Sequence, residues 1–409
     1  MKAMGPIPAC FAPADDATLR IGGWSAEDLV DQAGGTPLFV YDNNIAGGQV
    51  ARFRAAMPDG LALHYAVRAN PYGPLLRFLA RYVDGFEIAS GGELEQLREA
   101  GVEHLPISFA GPAKRDPEIE AAIAAGVTIN VESESEVARV LELGGQIGTQ
   151  PKIAVRVNPP FGIKGAGMKM GGLASPFGID SERASAVVKE LIAAGAEWRG
   201  LHILAGSQVL SAAALIEALR ATIALTAEIA NAAGSSPPEV NLGGGFGIPY
   251  FDGEQPLEVE AIGAALSDML PKVPDPLANT RFAIELGRWL VGEAGVYLTR
   301  IIDRKQSGGR TFLITDGGLH HMLAASGNFG QLPRRNYPVA IAGRLGSEPD
   351  EEVTVTGCLC TPLDLLADEV SLPHAEPGDL VAIFCAGAYG LSASPQAFLS
   401  HPPAREMLV

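Results

Sequence analysis

Short apolar runs recur along the first 290 positions and alternate with stretches in which apolar residues return every three or four places. The runs begin near residues 61 (LALHYAV), 84 (DGFEIAS), 106 (PISFAG), 127 (VTINVE), 152 (KIAVRVN), 199 (RGLHILA), 238 (PEVNLGG) and 281 (RFAIELG). Apolar runs of that length bounded by turn residues predict buried strands. The intervening stretches, such as ELEQLREAG, SEVARVLELG and RASAVVKELIAAG, predict helices, and several close on Ala-Gly or Leu-Gly, which suits a helix C-terminus. Eight strands alternating with helices predict an α/β protein built on a (β/α)8 TIM barrel, with a doubly wound open sheet as the alternative.

Beyond about residue 290 the pattern changes. GVYLTRII, TFLITD, VTVTG and LVAIFC are separated by Gly, Pro and Asp turns without a long amphipathic helix, which predicts a second, all-β domain. The early run Pro37–Tyr41 has no place in the barrel count and is assigned to that β domain. The expected organisation is an N-terminal segment 1–43 joining the β domain, a barrel 44–290 and a C-terminal β domain 291–409.

Composition narrows the function classes. Of 409 residues, 47% are hydrophobic, and the formal net charge is −17 without a basic run, which argues against nucleic acid or an anionic membrane as partner. The N-terminal residues have no continuous apolar core, so no secretory leader is expected, and no apolar stretch is long enough to predict a membrane span. Cys10, Cys358, Cys360 and Cys385 form no Cys-x-x-Cys pair, so reduced thiols in a cytoplasmic protein are expected.

Barrel enzymes carry their chemistry at the C-terminal ends of the strands. Here those ends are polar or glycine-rich: Arg68 after strand one, His202 and Ser207 at strand six, Gly243 to Gly245 after strand seven, Glu285, Gly287 and Arg288 after strand eight. Bare backbone N–H groups in a glycine run can converge on a phosphate, and an arginine beside them adds a charged donor. The plainer alternatives are a tight turn for the glycines and a salt bridge from Glu285 to Arg281 or Arg288. They continue with a satisfied core histidine at position 202 and a buried thiol at Cys360.

HYAVRANP, ASGGE, HILAGSQ, NLGGGFG, ELGR, GCLCTPLD and GAYG, in this order, resemble the fold-type III pyridoxal-phosphate (PLP) decarboxylases, the diaminopimelate and ornithine decarboxylase family. GMKMGG, DGGLHHMLAASGNFG, RRNYPVA and SASPQAFLSHP resemble more particularly the exosortase-A-system-associated decarboxylases and, more loosely, decarboxylases of carrier-bound amino acids. The resemblance implies a decarboxylase of an amino acid or a carrier-bound amino acid, active as a homodimer and serving exopolysaccharide biosynthesis. It implies that Ser207, Gly244, Gly245, Gly287, Arg288 and Tyr389 hold the cofactor phosphate and that Glu285 pairs with the pyridine nitrogen. His202 is counted among the cofactor-binding candidates, Asp364 is assigned to substrate, and Cys360 is implied as a proton donor in the neighbouring subunit's site. No metal is expected.

The chain departs from the family pattern in four places. Leu204 stands where a histidine stacks on the cofactor, Thr361 stands where an acidic residue meets the distal end of a diamine substrate, and Leu286 replaces a proline. The fourth departure is Arg68, at the position of the Schiff-base lysine. A guanidinium with a pKa above about 12 is not a usable nucleophile at neutral pH. Activity as written is therefore expected to be impaired, and the alternative is a non-catalytic homologue that regulates or binds a true decarboxylase. Lys152, Lys164 and Lys169 are the candidates for a substitute lysine, with Lys152 at the wrong end of its strand. Arg334 and Arg335 are read as surface salt-bridge formers, with a substrate carboxylate or carrier phosphate as the other reading. A racemase fits less well, because Glu285 replaces the arginine that racemases of this fold place at the pyridine nitrogen. A plain barrel binding protein has no need of Cys360 and Asp364.

Overall fold

A computed structural model describes the chain except Met1, 13–16, Leu173, Asn328 and 330–333; the side chain of Lys169 also lies outside the described residues. The chain divides into two compact units. One comprises Val50–Gly247 and Pro256–Gly287, the other Met1–Gln49, Ile248–Gln255 and Arg288–Val409.

The first unit is a closed parallel barrel. Its strands in chain order are Ala62–Ala66, Gly85–Ile88, Ile107–Phe109, Thr128–Val131, Lys152–Asn158, Glu197–Ile203, Glu239–Gly244 and Arg281–Leu286. Each pairs in parallel with its successor, and the eighth closes on the first with Glu285 opposite His64. Closure excludes the open doubly wound sheet.

The apolar runs became strands because both of their faces are buried: Leu63, Tyr65, Phe86, Ile88, Phe109, Ile129, Val131, Val155, Ile203, Val240 and Ile284 are all under 3% exposed. Serines cap the starts of three of the helices between them. Ser90, Ser133 and Ser211 each accept a backbone N–H from the first turn.

Helix ends follow the glycines with one correction. The run SEVARVLELG suggests an end at Gly144, but the helix Glu134–Ile147 continues to Gly148, which adopts φ +68° and caps it. Gly144 lies inside the helix because its bare Cα lets Pro151 approach; a Cβ there would sit 2.9 Å from the proline Cδ.

The second unit is mostly antiparallel sheet. Its strand order is Val339–Ile341, Leu380–Ile383, Gly295–Ser307, Arg310–Thr315, Glu351–Thr356 and Leu365–Leu372. The 13-residue strand Gly295–Ser307 serves two neighbourhoods. Its first half lies between Leu380–Ile383 and Leu38–Tyr41, and its second half folds back through Gly308-Gly309 onto Arg310–Thr315. Leu38–Tyr41 thus enters this sheet, with Arg405–Leu408 on its other edge. Leu19, Leu29, Leu38, Val40, Val296, Leu298, Ala382 and Phe384 form its core. Among the described residues no helix is long and apolar enough to cross a membrane.

Candidate functional site

The barrel's strand ends bring five side chains together: a guanidinium, two carboxylates, an imidazole and an amide. Arg68 lies on the one-turn 3-10 segment Val67–Ala69 that ends strand one. Its guanidinium forms ion pairs with Glu87 of strand two and with Glu285 of strand eight, the latter at 2.6 Å. Both carboxylate side chains are 2% exposed, whereas that of Arg68 is 32% exposed. On the other side of Glu285, His202 Nε2 of strand six lies 3.3 Å from Oε2, and Asn241 Nδ2 of strand seven lies 3.4 Å from the same oxygen.

Two buried carboxylates beside one guanidinium cannot both stay ionised at ordinary cost. Burial pushes Glu285 up, but the Arg68 charge and the contacts from His202 and Glu87 outweigh it and hold that carboxyl well below its ordinary range. Burial pushes Glu87 up too, and the neighbouring Glu285 adds to this against Arg68, so Glu87 stays well above the ordinary range. Of the two, Glu285 favours the charged form and Glu87 favours the proton. Glu87, His202 and Glu285 have the donor types of a metal cluster, but Arg68 already supplies the positive charge there.

Glu285 is therefore the charged end of a salt bridge, and its partner is Arg68 rather than Arg281 or Arg288; Arg281 lies 3.7 Å from Glu239 instead.

The glycine run after strand seven forms a cradle. The pairing of strands seven and eight shifts register between Asn241 and Gly244, which sets Gly244 opposite Glu285. Asn241 Oδ1 accepts the Gly243 N–H at 2.9 Å and steadies this bulge. Gly243 and Gly245 have φ of +70° and +79°, a region that disfavours other residues. A Cβ on Gly244 would strike the Glu285 carbonyl, and one on Gly245 the Gly206 carbonyl. Ser207 is held beside this run by a two-residue antiparallel pairing, opposite Met168 of the Gly- and Met-rich loop. At Gly287 a Cβ would sit 2.7 Å from that of Ala69, so the loops after strands eight and one pack tightly.

In the β unit, Arg288 donates to the Tyr250 hydroxyl at 2.8 Å, and its guanidinium lies over the Tyr389 ring at 4.6 Å. Its Nε is buried without a hydrogen-bond partner among the described residues. Burial pushes Tyr250 up to about 12, against the pull of Arg288, so its hydroxyl stays neutral. Tyr389 is held at φ +54°.

Cys360 is exposed, which rules out a buried structural thiol. Asp364 is buried, and its two carboxylate oxygens accept the Leu319 N–H at 2.6 Å and the Leu359 N–H at 2.8 Å. It braces the loop that carries Cys360 and Thr361. Arg335 pairs with Glu254 at 3.2 Å and lies over the Phe251 ring, while Arg334 donates to the Leu365 carbonyl at 2.6 Å. Lys152 donates to the Gly126 carbonyl at the start of its strand. Asn328 and Gly330 of the GNFG segment, and the side chain of Lys169, lie outside the described residues.

Glu87, Asn241 and Tyr250 were not singled out in the sequence. Glu87 had a usable signal: an acid inside an apolar strand run, DGFEIAS, implies a buried partner. Asn241 and Tyr250 carried none, since Asn is common at strand ends and Tyr in cores.

Residues 47–292 match the family description "Pyridoxal-dependent decarboxylase, pyridoxal binding domain". The chain is 36% identical to L-glutamyl-[BtrI acyl-carrier protein] decarboxylase of Niallia circulans, over 91% of this chain and 88% of that protein. It is 31% identical to diaminopimelate decarboxylase of Archaeoglobus fulgidus, over 96% and 92% of the two chains. Diaminopimelate decarboxylase of M. jannaschii, solved with L-lysine, superimposes with a TM-score of 0.84 at 26% identity, covering 97% of this chain and 92% of that one.

Proposed function

Because the chain belongs to the fold-type III PLP-dependent decarboxylases, we infer that it is built to decarboxylate an amino acid, free or carrier-bound, and that Arg68 impairs that turnover. The cofactor of this family is PLP, and this chain offers donors suited to both ends of it. A side-chain-free glycine run lies at the end of strand seven, and a charged carboxylate stands inside the barrel. Bound PLP supplies an electron sink for the pair released when CO2 leaves the substrate.

The residues take complementary tasks. Ser207, Gly244, Gly245 and Gly287 are assigned to the phosphate, together with Arg288, next in the chain after Gly287, and Tyr389 of the GAYG motif. The orphaned Arg288 Nε supports that assignment, since a buried guanidinium N–H lacking a partner suits an anion. Glu285, once free of Arg68, would hold a proton on the pyridine nitrogen of bound PLP, and His202 and Asn241 hold Glu285 in place. Cys360, exposed on a loop braced by Asp364, is assigned as the acid that returns a proton to carbon, in the site of the partner subunit of a homodimer.

One observation carries the reading of impairment: Arg68 Nη2 lies 2.6 Å from Glu285. A guanidinium there cannot make the covalent bond to PLP, and it also takes the carboxylate meant for the pyridine nitrogen. The same observation favours the second reading, a non-catalytic homologue acting as a regulatory or binding partner, because a neutralised Glu285 no longer needs a cofactor.

The substrate assignment rests on different support. Thr361 replaces the acid expected for a diamine, and the relative named above from Niallia circulans acts on a carrier-bound glutamyl group. Leu204, Thr361 and the GNFG segment support placement in the exosortase-associated subgroup, and with it a cytoplasmic role in exopolysaccharide biosynthesis.

The test is borohydride trapping with PLP, followed by mass spectrometry and CO2 release from free and phosphopantetheine-linked amino acids. The unaltered chain should give no lysine adduct and little CO2, and Arg68→Lys should give both. An adduct in the unaltered chain overturns the role given to Arg68. An Arg68→Lys protein that binds PLP but releases no CO2 from any amino acid supports the non-catalytic reading.

A further inference from the structure

We propose that the β unit binds a zinc-class divalent cation on His320, Cys358 and His401. The three residues come from separate loops: after Arg310–Thr315, after Glu351–Thr356 and before Arg405–Leu408. One ligand atom from each lies within 4.8 Å of the others. Cys358 Sγ and His401 Nε2 are 3.8 Å apart. Metal–sulfur and metal–nitrogen bonds of about 2.3 and 2.1 Å place two tetrahedral ligands about 3.5 Å apart, so this edge needs only a small closure.

An independent observation points to a ligand here. His320 is fully buried, and neither ring nitrogen has a hydrogen-bond partner among the described residues. Its neighbour His321 is satisfied, with Nδ1 3.2 Å from the Tyr297 hydroxyl and Nε2 3.0 Å from the Pro402 carbonyl. A buried imidazole with two orphaned nitrogens is costly unless something occupies one of them.

Burial, then His321 and His401, pushes His320 down to about 4, so at neutral pH it presents a lone pair. Burial, then the Asp364 charge, pushes the Cys358 thiol up to about 11. It enters coordination by releasing its proton to solvent as the sulfur lone pair forms the bond to the ion, with no change of oxidation state. A thiolate with two imidazoles selects zinc-class ions over magnesium or calcium, which prefer oxygen. Three protein ligands leave the fourth position for water or an external donor. Cys358 also borders a cavity of about 550 Å³ in this unit.

The ion would have a consequence for the neighbouring chemistry. Cys358 and Cys360 share the loop Gly357–Asp364, so an ion on Cys358 pins the segment that presents Cys360. This consequence rests on the role proposed for Cys360, but ion binding itself does not.

The full-length chain is freed of metal, then titrated with Zn2+ or Co2+ in the absence of PLP. About one ion per chain is expected, and the Co2+ form should show the thiolate-to-metal charge-transfer band of a tetrahedral sulfur site. Cys358→Ser should abolish that band, and both it and His401→Asn should weaken binding at least about tenfold. Zn2+ should protect Cys358 from alkylation in the unaltered chain, read by peptide mass spectrometry, and a chelator should restore reaction. That readout does not depend on any variant folding. Stoichiometry below about one tenth, a Co2+ spectrum without the sulfur band, or Cys358 alkylation indifferent to Zn2+ would each overturn the proposal.

Discussion

At the residue scale, one guanidinium determines the state of two buried acids. Arg68 pairs with Glu285 and also reaches Glu87, so removing its charge strands the buried, ionised Glu285. Arg68→Met should cost about 3–5 kcal/mol in chemical denaturation, and adding Glu285→Gln, which removes the stranded charge, should recover part of it. The two acids respond oppositely to pH. Glu87 is raised, so its contribution to stability is present below the ordinary carboxyl value and is lost as pH rises through its folded value. Glu87→Gln, neutral throughout, should flatten the loss of stability between acid and alkaline pH; melting curves that keep the same slope as the unaltered chain would contradict the assignment of the proton to Glu87.

At the element scale, loops hold the site through backbone contacts that side chains complete. Glu118 accepts the Gly91 N–H at 2.9 Å and Arg115 Nε at 2.8 Å, tying the ASGGE turn after strand two to the helix Asp116–Ala124 after strand three. The Arg115 hydrogen bond first, then the Gly91 N–H, holds its carboxyl down to about 2. A depressed carboxyl stabilises above its unfolded value, and that stabilisation fades as pH falls toward 2. Glu118→Gln should therefore lower the melting temperature at pH 7 and leave it unchanged near pH 2. Gly245, at φ +79° and against the Gly206 carbonyl, has no room for a methyl. Gly245→Ala should weaken PLP binding at least about tenfold by fluorescence titration while circular dichroism stays native, because the cradle must open to admit it.

At the scale of the whole molecule, the proposed homodimer makes a countable claim. If Cys360 serves the partner's site, an Arg68→Lys, Cys360→Ala double variant is inactive alone, as is the unaltered chain. After mixing and exchange of subunits, half of the dimers are mixed, and one site in each combines the lysine of one chain with Cys360 of the other. About a quarter of the Arg68→Lys activity should then return. No recovery, with subunit exchange verified by native mass spectrometry, would place Cys360 in its own chain's chemistry or outside it.

The sequence by itself determined the barrel, because a strand buried on both faces must be apolar throughout and a helix must repeat every three or four residues. It also marked the candidate site, since Arg68, Ser207, the Gly243–Gly245 run and Glu285 are local departures from those patterns. Tertiary structure alone decided what these residues meet. Glu87 and Glu285 are 198 positions apart, and only barrel closure, with strand eight beside strand one and strand two on its far side, brings both to Arg68. The excursion Ile248–Gln255 belongs with the β unit because Tyr250 packs with Tyr337 and binds Arg288, contacts that no local pattern encodes. His320, Cys358 and His401 read as unrelated residues along the chain and become neighbours only when three loops of one sheet converge. Local patterning reports burial, which is a property of each segment; ion pairs and ligand sets are properties of closure, which joins segments remote in sequence. At position 68 the two meet: the sequence has an arginine where the family resemblance implies a lysine, and the fold shows which carboxylates that arginine meets.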